Sequence, residues 1–102
     1  MKDVSITFSP EGSPYGASGI LATMKASNGT NVSLSRSPMN GVIRFSGKVS
    51  SGLKYQFKIN SNTLPIYTSE VIDPKSEPTF QGCGVVRNCN YQSGKVQCST
   101  PL

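Results

Sequence analysis

The sequence predicts one all-β domain spanning residues 1–102, a small antiparallel β-sandwich or barrel-like fold with a disulfide-closed C-terminal hairpin. Three observations lead there. Ser, Thr, Asn, Gly and Pro fill nearly half of the positions; Ser, Asn and Gly disfavour helix interiors and Pro breaks them. Short apolar–polar alternations recur between turn-forming dipeptides, the pattern of several short strands in a sandwich or barrel. Two cysteines sit at hairpin spacing near the C-terminus. Hydrophobic residues make up 35% and mean hydropathy is −0.25, so the core is modest. The chain length allows one domain and not two.

Each element follows from its residues. Val4, Ile6 and Phe8 alternate with Ser5, Thr7 and Ser9 in a first strand ended by Pro10. Residues 10–19 form a loop dense in Gly and Pro. Segments 20–26 and 30–36 flank Asn28-Gly29, a strong hairpin signal. Asn40-Gly41 follows Pro38 and opens a strand over 42–45, and 47–52 reads as another turn-rich segment. Leu53, Tyr55, Phe57 and Ile59 then alternate with Lys54, Gln56 and Lys58, so one face packs and the other is basic and wet. Asn60-Ser61-Asn62 turns the chain, 64–67 and 70–72 offer a further strand or two, and 73–78 is a polar loop.

A two-residue turn at Ser93-Gly94 sets the register of the last hairpin. Gln92 faces Lys95, Tyr91 faces Val96, Asn90 faces Gln97, and Cys89 falls opposite Cys98. Counting outward, the cysteines land on a non-hydrogen-bonded pair, where Cα atoms lie about 4.5 Å apart, within disulfide reach. The expected Cys89–Cys98 bridge implies an oxidising compartment, outside the cell or at its surface. The alternative is a cytosolic or virion-associated chain with reduced thiols. Cys83 is left over, to be buried, to pair with another chain, or to replace one of the other two.

Charge is uneven. The net charge is +5, yet no acid lies between Glu11 and Glu70, a span holding Lys25, Arg36, Arg44, Lys48, Lys54 and Lys58. Such a basic β-surface, with Tyr15, Tyr55 and Tyr67 as stacking groups, suits nucleic acid or another polyanion such as an acidic glycan. The plain alternative is a solvated outer face whose lysines also discourage edge pairing. The tyrosines would serve a sugar-binding module too, although Trp is absent.

Enzyme chemistry has little to work with. No His is present, which removes His-based triads and His metal ligands. Cys-x5-Cys-x8-Cys lacks the close pair of a zinc site. Glu70, Asp73 and Glu77 offer an acid/base pair or calcium oxygens in principle, but read more simply as a polar loop. Gly82-Cys83-Gly84 with Arg87 nearby offers a reactive thiol in principle. The expectation is a non-enzyme without cofactor or metal. No apolar run is long enough to span a membrane, and no signal peptide is visible.

Segment 84–98, trailed by Ser99-Thr100-Pro101-Leu102, resembles the cysteine-closed C-terminal region of type IV pilins and minor pilins. Ile6-Thr7-Phe8-Ser9-Pro10-Glu11-Gly12, a strand, and then Asn40-Gly41-Val42-Ile43-Arg44 are similar to a stretch of pseudopilin-like domains. There a Phe-x-Pro-x-Gly segment precedes a hairpin and a Gly-x-x-Arg strand. The two pieces cover roughly half of the chain. The hydrophobic assembly helix of such subunits has no counterpart here, and the first pattern stands at the start instead of near the end. The resemblance implies a cell-surface filament subunit in which Cys89 and Cys98 staple the exposed end. The expected role is therefore structural: a subunit of a filament, adhesion structure or particle, partnered by copies of itself or by other subunits. The alternative is a polyanion-binding module.

Overall fold

The computed structural model describes residues 1–101 and contains nine strands among them. These are β1 (Lys2–Ser9), β2 (Ile20–Ala26), β3 (Asn31–Val32), β4 (Ser35–Met39), β5 (Val42–Val49), β6 (Tyr55–Ser61), β7 (Leu64–Thr68), β8 (Val85–Gln92) and β9 (Lys95–Ser99). They form a five-stranded sheet ordered β4-β5-β1-β8-β9 and a four-stranded sheet ordered β3-β2-β6-β7. The only helical segments described are two short 3-10 turns, Ala17–Gly19 and Pro74–Ser76. No described helix is long and apolar enough to cross a membrane.

Period-two alternation builds the core. Val4, Ile6 and Phe8 of β1 and Ile43, Phe45 and Val49 of β5 are buried. So are Ile20, Met24 and Ala26 of β2 and Tyr55, Phe57 and Ile59 of β6 in the other sheet. Their polar alternates point to solvent on the outer faces, as one-sided burial requires. Gly47 holds the inward position between Phe45 and Val49. A Cβ there would lie 2.9 Å from both Leu34 Cδ2 and the Ser33 carbonyl oxygen. The bare backbone thus admits the crossover between β3 and β4, and β5 runs on to Val49 before the chain turns at Ser51 and Gly52.

Three further details differ from the sequence reading. Segment 30–36 is divided: β3 pairs with β2 in the small sheet, whereas β4 pairs with β5 in the large one. Segment 70–72 contributes only an isolated pairing of Ile72 with Tyr55, because Ser69 breaks the strand. The Ser69 hydroxyl accepts from the Phe57 N–H and donates to the Glu70 carbonyl. The large sheet is also mixed, not purely antiparallel: β1 pairs antiparallel with β5 and parallel with β8. Alternation with one wet face has the same period in either direction, so only the chain path decides. Residues 69–84 cross from the small sheet and deliver β8 parallel to β1. Gly84 is the hinge of that delivery, at φ +89°, where a Cβ would lie 2.0 Å from the Asp3 carbonyl oxygen.

Candidate interaction surfaces

The terminal hairpin has the expected register. Ser93 and Gly94 adopt φ of +55° and +83°, the two positive angles of a type I′ turn. Cys89 stands opposite Cys98 with Cα atoms 4.0 Å apart, and the two are disulfide-bonded. Cys83 is free and exposed. Tyr91 of the same hairpin receives Tyr15 from the 10–19 loop in an edge-on contact, ring centroids 5.9 Å apart.

This hairpin ends the large sheet, so one side of β9 pairs with β8 and the other is bonded to no strand, with β7 of the small sheet lying close to β9. In the antiparallel register, Gln92–Lys95, Asn90–Gln97 and Asn88–Ser99 are the hydrogen-bonded pairs. The N–H and C=O groups of Val96 and Cys98 consequently point away from β8; Cys98 is half-buried and Val96 is buried. The other three sheet edges are blunted in ways that suppress strand addition. The edge strand β3 has two residues. On β7 there are Pro65 and a register shift against Ile59/Asn60. In β4, Pro38 falls beside Ile43 at a non-hydrogen-bonded position, so its missing N–H is missing from the free edge. Five-residue β9 has neither Pro nor bulge.

The six basic residues are divided among three environments. Lys25, Lys54 and Lys58 are exposed on the outer side of the small sheet around Gln56, with Lys25 beside Gln56 and Lys58 between Thr23 and Thr68. Arg44 and Lys48 lie on the outer face of the large sheet, on the other side of the molecule. Lys48 is ion-paired to Asp3, whose carboxyl is held below its ordinary pKa by that hydrogen bond and charge. Arg36 turns inward from β4, donating from Nε to the Ile20 carbonyl at 2.9 Å and from an Nη to the Ala17 carbonyl at 2.6 Å. It clips the start of β2 to the opposite sheet. Among the tyrosines, Tyr55 is buried and its hydroxyl accepts from the Ser50 N–H at 2.9 Å. Tyr67 packs on Phe57 with centroids 5.8 Å apart.

Arg87, four residues from Cys83 in sequence, faces the core. It occupies an inward position of β8 between Val85 and Cys89 and is 4% exposed. Its guanidinium is ion-paired to Glu77 and, at 3.2 Å, to Glu70. Burial alone would lower its pKa, but the hydrogen bonds and charges of the two glutamates outweigh that and raise it. Glu70 and Glu77 are thereby anchors of the 69–84 crossover. The signal was available: strict alternation from Val85 to Cys89 aims residue 87 at the core.

An open cleft of about 520 Å³ lies beside the β3–β4 crossover, floored by Ala26, Val32, Leu53 and Tyr55. Lys48, already paired, is its one charged side chain. No nucleophile with an adjacent base lines it. The molecule is a two-sheet β-sandwich with a stapled terminal edge. It matches no protein-family model, and no curated protein or solved structure is significantly similar to it.

Proposed function

We propose that this chain is a non-enzymatic structural subunit of an extracellular or cell-surface assembly, a filament, adhesion structure or particle. Neighbours are added along the free edge of β9. One observation carries the reading: β9 is the sole described sheet edge of five residues without proline or bulge, while the others are shortened, bulged or proline-blocked. Strand addition is a recurrent way for β-proteins to bind, with backbone hydrogen bonds supplying affinity. The disulfide suits an oxidising location, and the similarity of the terminal hairpin to pilin-like subunits supports the same role. Light scattering over a concentration series tests it. The expected mass rises above the 10.9 kDa of one chain; a mass fixed at that value throughout contradicts the reading.

A second reading rests on Lys25, Lys54 and Lys58, which share one acid-free sheet face. Such a face suits a linear polyanion. Binding to single-stranded nucleic acid through these three charges should weaken with salt at a log–log slope of about −2. No binding at low ionic strength ends this reading.

A further inference from the structure

We infer that the outer face of the small sheet is a binding site for an acidic glycan, a polysaccharide bearing sulfate or carboxylate groups, held by Lys25, Lys54 and Lys58. The inference rests on the polyanion reading above and names the class of ligand for it.

Strand geometry sets the spacing of the charges. Lys58 lies in β6 and Lys54 just before it, on either side of Gln56. At the rise of a strand they stand about 13 Å apart. Lys25 faces Gln56 from β2, midway between them and one strand over. The pairing continues past the end of β6, where the Ser27 N–H donates to the Lys54 carbonyl at 2.8 Å. Lys54 therefore keeps the outward direction of Gln56 and Lys58. All three lysines are exposed, and none is ion-paired among the described residues.

The Lys25–Gln56 pair separates two shallow depressions. One, of about 300 Å³, is bordered by Lys25 and Lys58 together with Thr23, Asn31 and Gln56. The other, of about 200 Å³, is bordered by Lys25 and Lys54 beside Ala26, Tyr55 and Val71. Each depression is thus flanked by two lysines, and Lys25 is common to both. Two anionic groups about 6–7 Å apart, half of the Lys54–Lys58 span, match this arrangement.

The rest of the face favours a glycan over a nucleic acid. Single strands are held largely by bases stacked on aromatic side chains. Here Tyr55 is buried and Tyr67 packs on Phe57, so neither ring is laid open as a platform. Val71, 63% exposed, instead gives the smaller depression an aliphatic wall for the C–H face of a sugar ring. In the larger one, the Thr23 hydroxyl and Asn31 carboxamide offer both donors and acceptors to sugar hydroxyls. Acidic glycans are also molecules of the cell exterior, the location that the disulfide suits.

Titration of the full chain with a heparin oligosaccharide tests the site, beside a dT oligonucleotide carrying the same number of anionic groups. The oligosaccharide should bind at least about tenfold more tightly, since the bases find no stacking partner. Lys25→Gln should weaken that binding about threefold more than Lys54→Gln or Lys58→Gln, because it removes a contact from both anions. Lys95→Gln removes the same charge from the terminal hairpin and should leave binding nearly unchanged. Val71→Ser should weaken the oligosaccharide and not the oligonucleotide. Equal losses from Lys25→Gln and Lys95→Gln overturn the site. An oligonucleotide that binds as tightly as the oligosaccharide overturns the glycan assignment and leaves the polyanion reading standing. If neither binds at low ionic strength, both fall.

Discussion

At the residue scale, Arg87 organises more of the molecule than any other charged side chain. It brings a guanidinium into the sandwich and fastens the 69–84 crossover through Glu77 and Glu70. Arg87→Ala would leave Glu77, whose side chain is only 12% exposed, without its cation. Breaking such a pair costs about 3 kcal/mol, and thermal melting should show it as a marked loss of stability. Combining Arg87→Met with Glu77→Gln removes both charges and should restore most of that loss. A single Arg87→Ala variant as stable as wild type would contradict the anchoring role. Tyr67 sets an alkaline limit: burial first, then the Glu70 charge, raise its pKa above the ordinary 10. A raised folded value means the unfolded chain loses this proton first. Its contribution is whole below pH 10 and is lost as pH rises through the folded value. Melting temperatures from pH 8 to 11 should fall more gently in Tyr67→Phe than in wild type; parallel curves would refute it.

At the element scale, the hairpins were the most legible part of the sequence. Asn40-Gly41 and Ser93-Gly94 form two-residue turns because both of their residues reach positive φ, and the second turn fixed the Cys89–Cys98 pairing by counting alone. The Asn28-Gly29 hairpin formed too, but as a three-residue loop, Ser27 to Gly29, closed by the Ala26 N–H on the Thr30 carbonyl at 2.8 Å. Less legible were the split of 30–36 between two sheets and the parallel union of β1 with β8. Both depend on where a crossover lands, and local alternation carries no information about that. The glycines that admit those crossovers, Gly47 and Gly84, look like ordinary turn residues in one dimension. The disulfide makes its own prediction at this scale. Closing its ten-residue loop stabilises the fold by about 2–3 kcal/mol in the loop-entropy account. Reduction should therefore lower the melting temperature by roughly 10–20 °C for a domain of this size. An unchanged melting temperature would show that the bridge contributes nothing.

At the scale of the whole molecule, the six basic residues that look like one patch in sequence are spread over two outer faces and an interior clip. Sequence distance along alternating strands does not tell which sheet a strand joins: Lys25, Lys54 and Lys58 share one face, whereas Arg44 and Lys48 lie on the other sheet and Arg36 is held at the start of β2. The open edge of β9 was equally hidden, because an edge exists only once the strand order is known. That edge is the centre of the functional proposal, and residue-resolved amide hydrogen exchange reads it directly. In dilute solution the outward amides of Val96 and Cys98 should exchange quickly, while Gln97, bonded to β8, stays protected. Raising the protein concentration should slow Val96 and Cys98 selectively, with Gln97 unchanged. Exchange of Val96 and Cys98 that is independent of concentration would contradict assembly through this strand.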